Sequence, residues 1–203
     1  MTAESVLTSV FLEIGISKSS PNLAGSDFDV LQIKEYMNQA GEDIAKRAEW
    51  QGLYATETVP GSVSSHTLPS DFQEIGERGS VWLNKASGTF TPLMPIIDPG
   101  MWDFAAQKPS AQLYWHIRGG EMQFSDTLDS DGAKFTYVSK NWVVGDKSAI
   151  TQNSDTFLIP ERLLRGLTVA LWLREKGKPY DDQLAEYEAN LRVDVAANRG
   201  AAA

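Results

Sequence analysis

Two histidines, His66 and His116, are the side chains most suited to proton transfer near neutral pH, and the sequence contains no others. His116 lies between Trp115 and Ile117 in an alternating run, which favours a structural or surface role over catalysis. His66 lies in a serine-rich segment without an obvious carboxylate partner. Because a general base needs a group that orients it, neither histidine predicts a catalytic residue.

Acidic side chains could instead bind a metal ion. Asp126, Asp129 and Asp131, followed by Gly132, faintly resemble a calcium loop, but the EF-hand spacing and its terminal glutamate are missing. A turn is the better interpretation. The sequence also lacks cysteine, which excludes thiol catalysis, disulfides and cysteine-ligated zinc. Since no phosphate-binding loop, nucleophile elbow or zinc-protease motif occurs either, we expect no catalytic residue, no metal site and no cofactor.

Aromatic residues leave one alternative open. Four of the six tryptophans fall in the middle of the chain, at Trp82, Trp102, Trp115 and Trp142. Such residues could form a sugar-binding platform, so a carbohydrate-binding module or a glycosidase stays an alternative. Buried cores and subunit interfaces use tryptophan more often, and we favour those roles.

Helical periodicity occurs at both ends of the chain. The first helix is predicted to end at Gly15, and the second to begin with Ser26 as its N-cap and to end near Trp50. Near the C-terminus, Pro160 suits the first position of a third helix, and a last helix follows Pro179. The tail from Ala196 to Ala203 is predicted to lie outside the last helix. The apolar stripes of these four helices are Val6, Leu7, Val10, Phe11 and Ile14; Val30, Ile33, Met37, Ala40, Ile44 and Ala48; Leu163, Leu164, Leu167, Ala170, Leu171 and Leu173; and Leu184, Tyr187, Leu191 and Val195.

The middle of the chain has the pattern of a sheet. Short β-favouring runs alternate with glycine-rich turns, and Gly119-Gly120 joins the two halves of the best predicted hairpin. Phe135, Tyr137 and Trp142 are predicted to belong to a further strand region, and a short helix is predicted over 98–106. We therefore predict an α+β fold: a helical bundle formed by residues 1–52 and 153–203, with an antiparallel β-rich domain inserted at 53–152.

Charge and hydropathy narrow the function classes. The chain has 203 residues and a formal net charge of −9. It contains no cluster of Lys and Arg that could bind the phosphates of a nucleic acid. The apolar run from Val169 to Leu173 is far shorter than the roughly 18 residues of a membrane span. The N-terminus has no basic region like that of a secretion signal. We expect a soluble protein without an export signal.

Three local patterns together suggest a family. The segment from His66 to Phe72 contains Leu-Pro-Ser-Asp-Phe, which resembles the segment leading into the sheet of tailed-phage head-to-tail adaptors. The hairpin from Gln112 to Gly120 resembles the one that follows it in that family. Residues 155–161, with the helix after them to Tyr180, are similar to the closing helical half, and residues 48–53 also fit. The resemblance is to adaptors of the tail tubular protein A type, and it spans most of residues 26–195.

The resemblance implies a structural virion protein rather than an enzyme. Such adaptors form a ring of about twelve copies beneath the portal protein and carry the DNA channel toward the tail, without sequence-specific DNA binding and without membrane contact. The expected partners are therefore further copies of the chain, the portal, a tail or tail-completion protein and the passing duplex. Synthesis in the host bacterial cytoplasm is expected. A tail-completion neck protein further from the portal is the second alternative.

Two sets of residues are predicted to carry this function. Acidic side chains of the sheet block or of the second helix would line the bore, where a negative wall repels phosphate; the residues singled out are Glu42, Asp43 and Glu49. The last helix and its tail would dock onto the portal through Leu191, Arg192, Val195 and Arg199. On this hypothesis the tail orders only on binding, so deletion of residues 194–203 should leave the monomer's stability nearly intact.

Overall fold

The computed structural model describes residues 2–17, 21–84, 90–107 and 112–200. Within this part of the chain it is an α+β protein with helices, a block of strands, and helices again. The chain divides into two compact units, the helical unit of residues 1–53 and 140–203 and the β unit of residues 54–139. Residues 140–152 therefore group with the helices.

Four helices build the helical unit: α1 (Ala3–Glu13), α2 (Phe28–Arg47), α4 (Glu161–Glu175) and α5 (Asp181–Gly200). Helix α4 contacts each of the other three. It is correspondingly buried around most of its circumference, as a central helix must be. The N- and C-terminal helices thus bury their apolar stripes against one another, which confirms the predicted bundle. A 3₁₀ turn, Gln51–Leu53, closes the N-terminal half of the unit.

Helix boundaries differ from the predictions by one residue in two places. Asp27, not Ser26, is the N-cap of α2, because its carboxylate accepts hydrogen bonds from the backbone N–H groups of Asp29 and Val30. Pro160 is the N-cap of α4 rather than its first helical residue. Gly15, with φ of 77°, follows the end of α1 as predicted.

Two further predictions about the helical unit are wrong. Helix α5 continues to Gly200, so the predicted tail is helical up to that residue; residues 201–203 lie outside the described part. Trp142 is not in a strand of the sheet. It lies buried in the helical unit, where its ring packs against Gly41 of α2 and stacks on Phe157.

The β unit contains two sheets and one helix. The first sheet is antiparallel, with strand order β1-β9-β4-β5 and with β3 also paired to β9. The second has the order β2-β8-β7-β6, and its β6–β7 pair is parallel, a departure from the purely antiparallel prediction. Helix α3 (Pro99–Gln107) confirms the predicted short helix. The strands are β1 (Tyr54–Val59), β2 (Ser65–Thr67), β3 (Phe72–Glu74), β4 (Val81–Asn84), β5 (Phe90–Pro92), β6 (Met94–Pro95), β7 (Tyr114–Arg118), β8 (Glu121–Phe124) and β9 (Ala133–Ser139).

One apolar core joins the two sheets. The predicted hairpin is confirmed, because β7 and β8 pair with Trp115 opposite Phe124 and Ile117 opposite Met122. Gly119 and Gly120 both have positive φ in its turn, which glycine adopts without strain. The core residues of the β unit are Val59, Val81, Leu83, Leu93, Met122, Phe124, Leu128, Ala133, Phe135 and Tyr137.

Candidate functional site

The Leu-Pro-Ser-Asp-Phe segment anchors a loop to the centre of the β unit. The Asp71 carboxylate accepts hydrogen bonds from the Tyr137 hydroxyl at 3.0 Å and from the Ser139 hydroxyl at 2.6 Å. Phe72 packs on the Tyr137 ring with 5.6 Å between centroids, and its backbone N–H donates to Pro69. The segment that carries the family resemblance therefore fastens β3 onto β9, and its role is structural.

A buried carboxylate organises the loop before α4 in the same manner. The Asp155 side chain is 2% exposed. It accepts hydrogen bonds from Lys147 Nζ at 2.8 Å and from the backbone N–H groups of Thr151 and Gln152 at 2.7 and 3.0 Å. Burial raises the pKa of Asp155, but the Lys147 and backbone donors outweigh burial and hold the pKa well below its ordinary value. The Asp155 carbonyl in turn accepts from the N–H of Ala3, so this loop also holds the start of α1.

The two histidines have structural surroundings. His116 is buried, stacks on Trp102 at 5.3 Å between ring centroids, and its Nδ1 lies 2.6 Å from the Ile96 carbonyl. The expectation that His66 has no carboxylate partner is wrong, because its Nε2 lies 3.3 Å from Glu57 Oε1. Glu57 lies on β1 of the first sheet and His66 on β2 of the second, so the contact joins the two sheets and no local spacing in the sequence indicated it.

The acidic segment after β8 forms a turn. Asp129 Oδ1 accepts from the N–H of Asp131 at 3.3 Å, and Gly132 adopts a φ of 71°. The Asp126 carboxylate accepts from the N–H of Thr127 at 2.7 Å. Within the described ranges, no group of three or more His, Cys, Asp or Glu residues is placed to hold a metal ion.

A flat aromatic platform is not present at the tryptophans singled out for sugar binding. Trp102 and Trp142 are both buried, and they lie in different units. Trp82 and Trp115 are half-buried in the β unit, where the Trp115 indole N–H donates to the Leu93 carbonyl at 3.2 Å. These rings pack inside the protein, so nothing in their arrangement favours the carbohydrate alternative.

The residues predicted to dock differ in exposure. Arg192 and Arg199 are exposed on α5, Val195 is half-buried, and Leu191 is buried against the helical bundle. Leu191 therefore supports α5 from within the unit and is not presented to a partner by this monomer. Four apolar side chains do lie exposed along α5 at helical spacing: Ala185, Ala189, Val193 and Ala196.

The end of α5 is fastened to its own unit. Arg162 makes two hydrogen bonds to the Asp194 carboxylate, through Nε at 2.8 Å and through a terminal nitrogen at 2.5 Å. The Asn198 side chain accepts from the N–H of Gln51 and donates to the Glu49 carbonyl. The expectation that residues 194–203 are dispensable for stability therefore conflicts with these contacts.

The residues predicted to line a bore lie near the end of α2. Glu42 and Asp43 are exposed, and Glu49 is half-buried. Glu42 accepts a hydrogen bond from Lys46 Nζ at 2.6 Å, one turn away, which raises the pKa of Lys46. Because Lys46 offsets the charge of Glu42, Asp43 is the better probe of a negative wall.

An exposed apolar surface on the β unit was not identified from the sequence. It consists of Met94, Ile97, Met101 and Phe104, between β6 and α3, and we call it the β6–α3 surface. The spacing of Ile97, Met101 and Phe104 is that of a helical stripe, which was the available signal. The signal is weak, because α3 has only nine residues and Ile97 precedes its first residue.

The fold defines an α+β protein with a helical unit and a β unit. Asp71 and Asp155 anchor loops within these units, and aromatic clusters are packed inside each of them. These contacts have structural roles. No helix in the described part of the chain is both long and apolar enough to cross a bilayer.

Comparison with known families gives the particular assignment. The model of the SU10 adaptor protein family matches residues 1–202, and the chain accordingly belongs to this family of phage head-to-tail adaptors. No curated protein matches the chain with significant similarity. Family membership confirms the resemblance based on the Leu-Pro-Ser-Asp-Phe segment and its neighbours. It implies portal and tail proteins as partners and the virion as the location.

Proposed function

We propose that this adaptor assembles as a closed ring of about twelve copies between portal and tail, and that the bore of the ring continues the DNA channel. Membership of a head-to-tail adaptor family is the observation that carries the proposal. A head-to-tail contact whose rotation closes produces such a ring. The protein acts as a structural component without catalysis, and it is made in the host bacterial cytoplasm before it joins the particle.

The charge of the chain supports passage of DNA without binding. Twelve copies at −9 each carry 12 × (−9) = −108 charges. We propose that Glu42, Asp43 and Glu49 contribute to the wall of the bore. A wall of this sign repels phosphate, and screening over about 8–10 Å at physiological ionic strength keeps the effect close to the surface.

The exposed face of α5 supports portal docking. Val193 is flanked by the small side chains Ala189 and Ala196, and a helix with small exposed residues lets another helix approach closely. Arg192 and Arg199 are the nearby exposed cations for acidic groups on the portal. We propose that this face, rather than the buried Leu191, makes the contact.

Electron microscopy of the purified protein, alone and mixed with portal, tests the assembly. The expected result is a ring of about twelve subunits that stacks coaxially on the portal. Rings that bind a tail component and leave the portal bare would instead support the neck protein further down. A protein that stays monomeric with both partners would refute the proposal.

A second experiment separates docking from folding. Changing Arg192 and Arg199 to Glu is expected to weaken portal binding at least tenfold while the melting temperature stays within about 2 °C, because both side chains are exposed. Arg78→Glu together with Lys140→Glu, two exposed cations that belong to neither α4 nor α5, is the control with the same charge change. Equal loss of portal binding by both pairs would show that overall charge, and not this face, governs docking.

A further inference from the structure

The β6–α3 surface concentrates exposed apolar side chains in eleven residues of sequence. Ile97 is 85% exposed, and Met94, Met101 and Phe104 are each more than half exposed. A large side chain has on the order of 200 Å² of surface, so the four present roughly 400–500 Å². The largest apolar patch of an ordinary monomer covers about 300–600 Å², and such patches mark binding sites.

A groove of about 360 Å³ adjoins this surface. Ile97 belongs to both, and the groove is lined on its other sides by Ile75, Ile96, Trp115 and Ile117 among others. Its floor is fixed, because His116 is held by the Ile96 carbonyl and by the Trp102 ring. A preformed apolar groove lowers the ordering cost of binding. Surface and groove together supply a part of the roughly 800 Å² that each partner contributes to a standard interface.

The edge of the sheet at this point disfavours strand addition. Strand β6 ends the second sheet and is only two residues long, and its second residue is Pro95. Proline has no N–H to donate to a further strand. An occupant therefore packs side chains into the groove instead of extending the sheet.

Charge distinguishes between the ways in which two copies could meet. Asp98 and Asp103 of the α3 region and Glu74 beside the groove are exposed at the rim, where Arg118 lies 3.8 Å from Asp103. Residues 54–139 carry five Lys and Arg against ten Asp and Glu. Two such surfaces face to face would place like charges together, which costs binding energy. A contact with a different surface of the second copy avoids this repulsion.

The helical unit offers the complementary charges. Arg174, Lys176 and Lys178 are all exposed within five residues at the α4–α5 turn, with Glu175 as the acidic residue among them. A contact between the β unit of one copy and the helical unit of the next is heterologous, and it leaves each copy with one surface of each kind. Such a contact produces a closed ring when its rotation closes.

We propose that the β6–α3 surface and its groove bind the helical unit of a neighbouring copy, with the acidic rim facing exposed cations of that unit. This inference rests on the proposed ring. It specifies the subunit interface, which the family assignment does not.

The absence of cysteine makes a direct test possible, because a single introduced thiol is unique in the chain. Ile97→Cys, labelled with a thiol-directed photo-crosslinker, is assembled with portal and tail proteins and irradiated, and the linked peptides are identified by mass spectrometry. The expected products join position 97 to peptides from residues 1–53 or 140–203 of another copy. Ser130→Cys, exposed in the turn after β8, is the matched control and is expected to give at least tenfold fewer such links.

The outcomes separate this inference from the ring itself. If the wild-type chain forms no ring with or without portal, the proposed function fails. If rings form but position 97 links to portal, to tail protein, to another β unit or to nothing, the interface assigned here is wrong while the ring stands. Ile97→Glu combined with Met101→Glu gives a second measurement: a loss of rings with an unchanged melting temperature supports the interface, and unchanged rings refute it.

Discussion

Asp155 is the residue whose charge state most directly couples to the stability of the helical unit. Its carboxylate is buried, accepts from Lys147 and from backbone donors, and has a pKa held below the ordinary value of about 3.9. A lowered folded-state pKa means that protonation opposes folding. Its stabilising contribution is therefore complete above pH 4 and declines as the pH falls below that value toward the folded pKa.

Replacing Asp155 with Asn is expected to lower the free energy of unfolding by about 2–3 kcal/mol at pH 7, because a charged, buried hydrogen-bond acceptor is lost. The difference from the wild type is expected to shrink at pH 3, because there the Asp155 carboxyl of the unfolded chain binds a proton while that of the folded chain stays charged. Urea titrations at pH 7 and pH 3 measure the difference in the free energy of unfolding between the variant and the wild type. Asp146→Asn, at an exposed site in the same loop, is expected to change stability by less than about 0.5 kcal/mol at either pH. A pH-independent effect of Asp155→Asn would contradict the assigned charge.

Asp71 gives the matching prediction for the β unit. Asp71→Ala leaves the hydroxyls of Tyr137 and Ser139 without this acceptor and is expected to cost about 2–3 kcal/mol. The exposed neighbour Ser70 provides the control, since Ser70→Ala is expected to be nearly neutral. Thermal melting followed by circular dichroism compares the two. An Asp71→Ala variant as stable as Ser70→Ala would mean that Asp71 does not anchor β3 to β9.

At the scale of elements, the apolar stripes predicted the helices well because α1, α2 and α5 each bury one face, while the broadly apolar α4 is buried around most of its circumference. The stripe of α5 is confirmed by the burial of Tyr187 and Leu191. Burial raises the pKa of Tyr187 to about 12, so its hydroxyl stays neutral in the core. The strands were predicted less completely, since β2, β3, β5 and β6 are only two or three residues long. Strands this short do not show a clear alternation of apolar and polar residues.

Trp142 shows why some core contacts could not be predicted from the sequence. Its position just after β9 continues an aromatic run, so alternation placed it with the strands. Gly41, a glycine in the middle of α2, was the residue that indicated a large side chain packed against this helix. Such a glycine costs helix stability and often marks a close approach. No local pattern indicates which of the six tryptophans packs against Gly41, because the contact joins residues far apart in the sequence.

The two helix-interior glycines allow a paired prediction at this scale. A Cβ on Gly41 would overlap the Trp142 ring, so Gly41→Ala is expected to destabilise the protein by about 1–3 kcal/mol. A Cβ on Gly166 of α4 would meet Tyr187 at an ordinary 3.8 Å, so Gly166→Ala is expected to stabilise by about 0.5–1 kcal/mol through helix propensity. Denaturant unfolding of both variants measures whether each substitution raises or lowers the free energy of unfolding. Stabilisation by Gly41→Ala would contradict the placement of Trp142.

At the scale of the whole molecule, the β unit has the properties of an inserted domain. It has its own core, and the chain enters and leaves it at adjacent positions, since Tyr54 pairs with Val138 at the start of β1 and the end of β9. Independent folding of the two units is a prediction. A fragment spanning residues 53–140 is expected to unfold cooperatively in circular dichroism with dispersed amide signals in NMR. A fragment without a cooperative transition would mean that the helical unit is required for its fold.

The bore hypothesis belongs to this scale, because a negative wall acts only when many copies are arranged around DNA. Reversing Glu42, Asp43 and Glu49 to Lys shifts the net charge of each copy by 3 × 2 = +6, and we expect the wall to attract phosphate and slow DNA ejection. Raising the ionic strength should restore the rate, since screening weakens the attraction. Asp43→Lys alone is the cleaner variant, because Glu42 is paired with Lys46.

Reversing Glu4, Glu77 and Asp126, which are exposed and belong neither to α2 nor to the proposed docking surfaces, gives the control with the same change of charge. Particles carrying this triple variant are expected to eject DNA at the wild-type rate at every salt concentration, because charges away from the bore are screened from the duplex. Ejection kinetics can be followed by the fluorescence of a dye that binds released DNA. Equal slowing by both triple variants would assign the effect to net charge, and normal kinetics in both would remove Glu42, Asp43 and Glu49 from the bore.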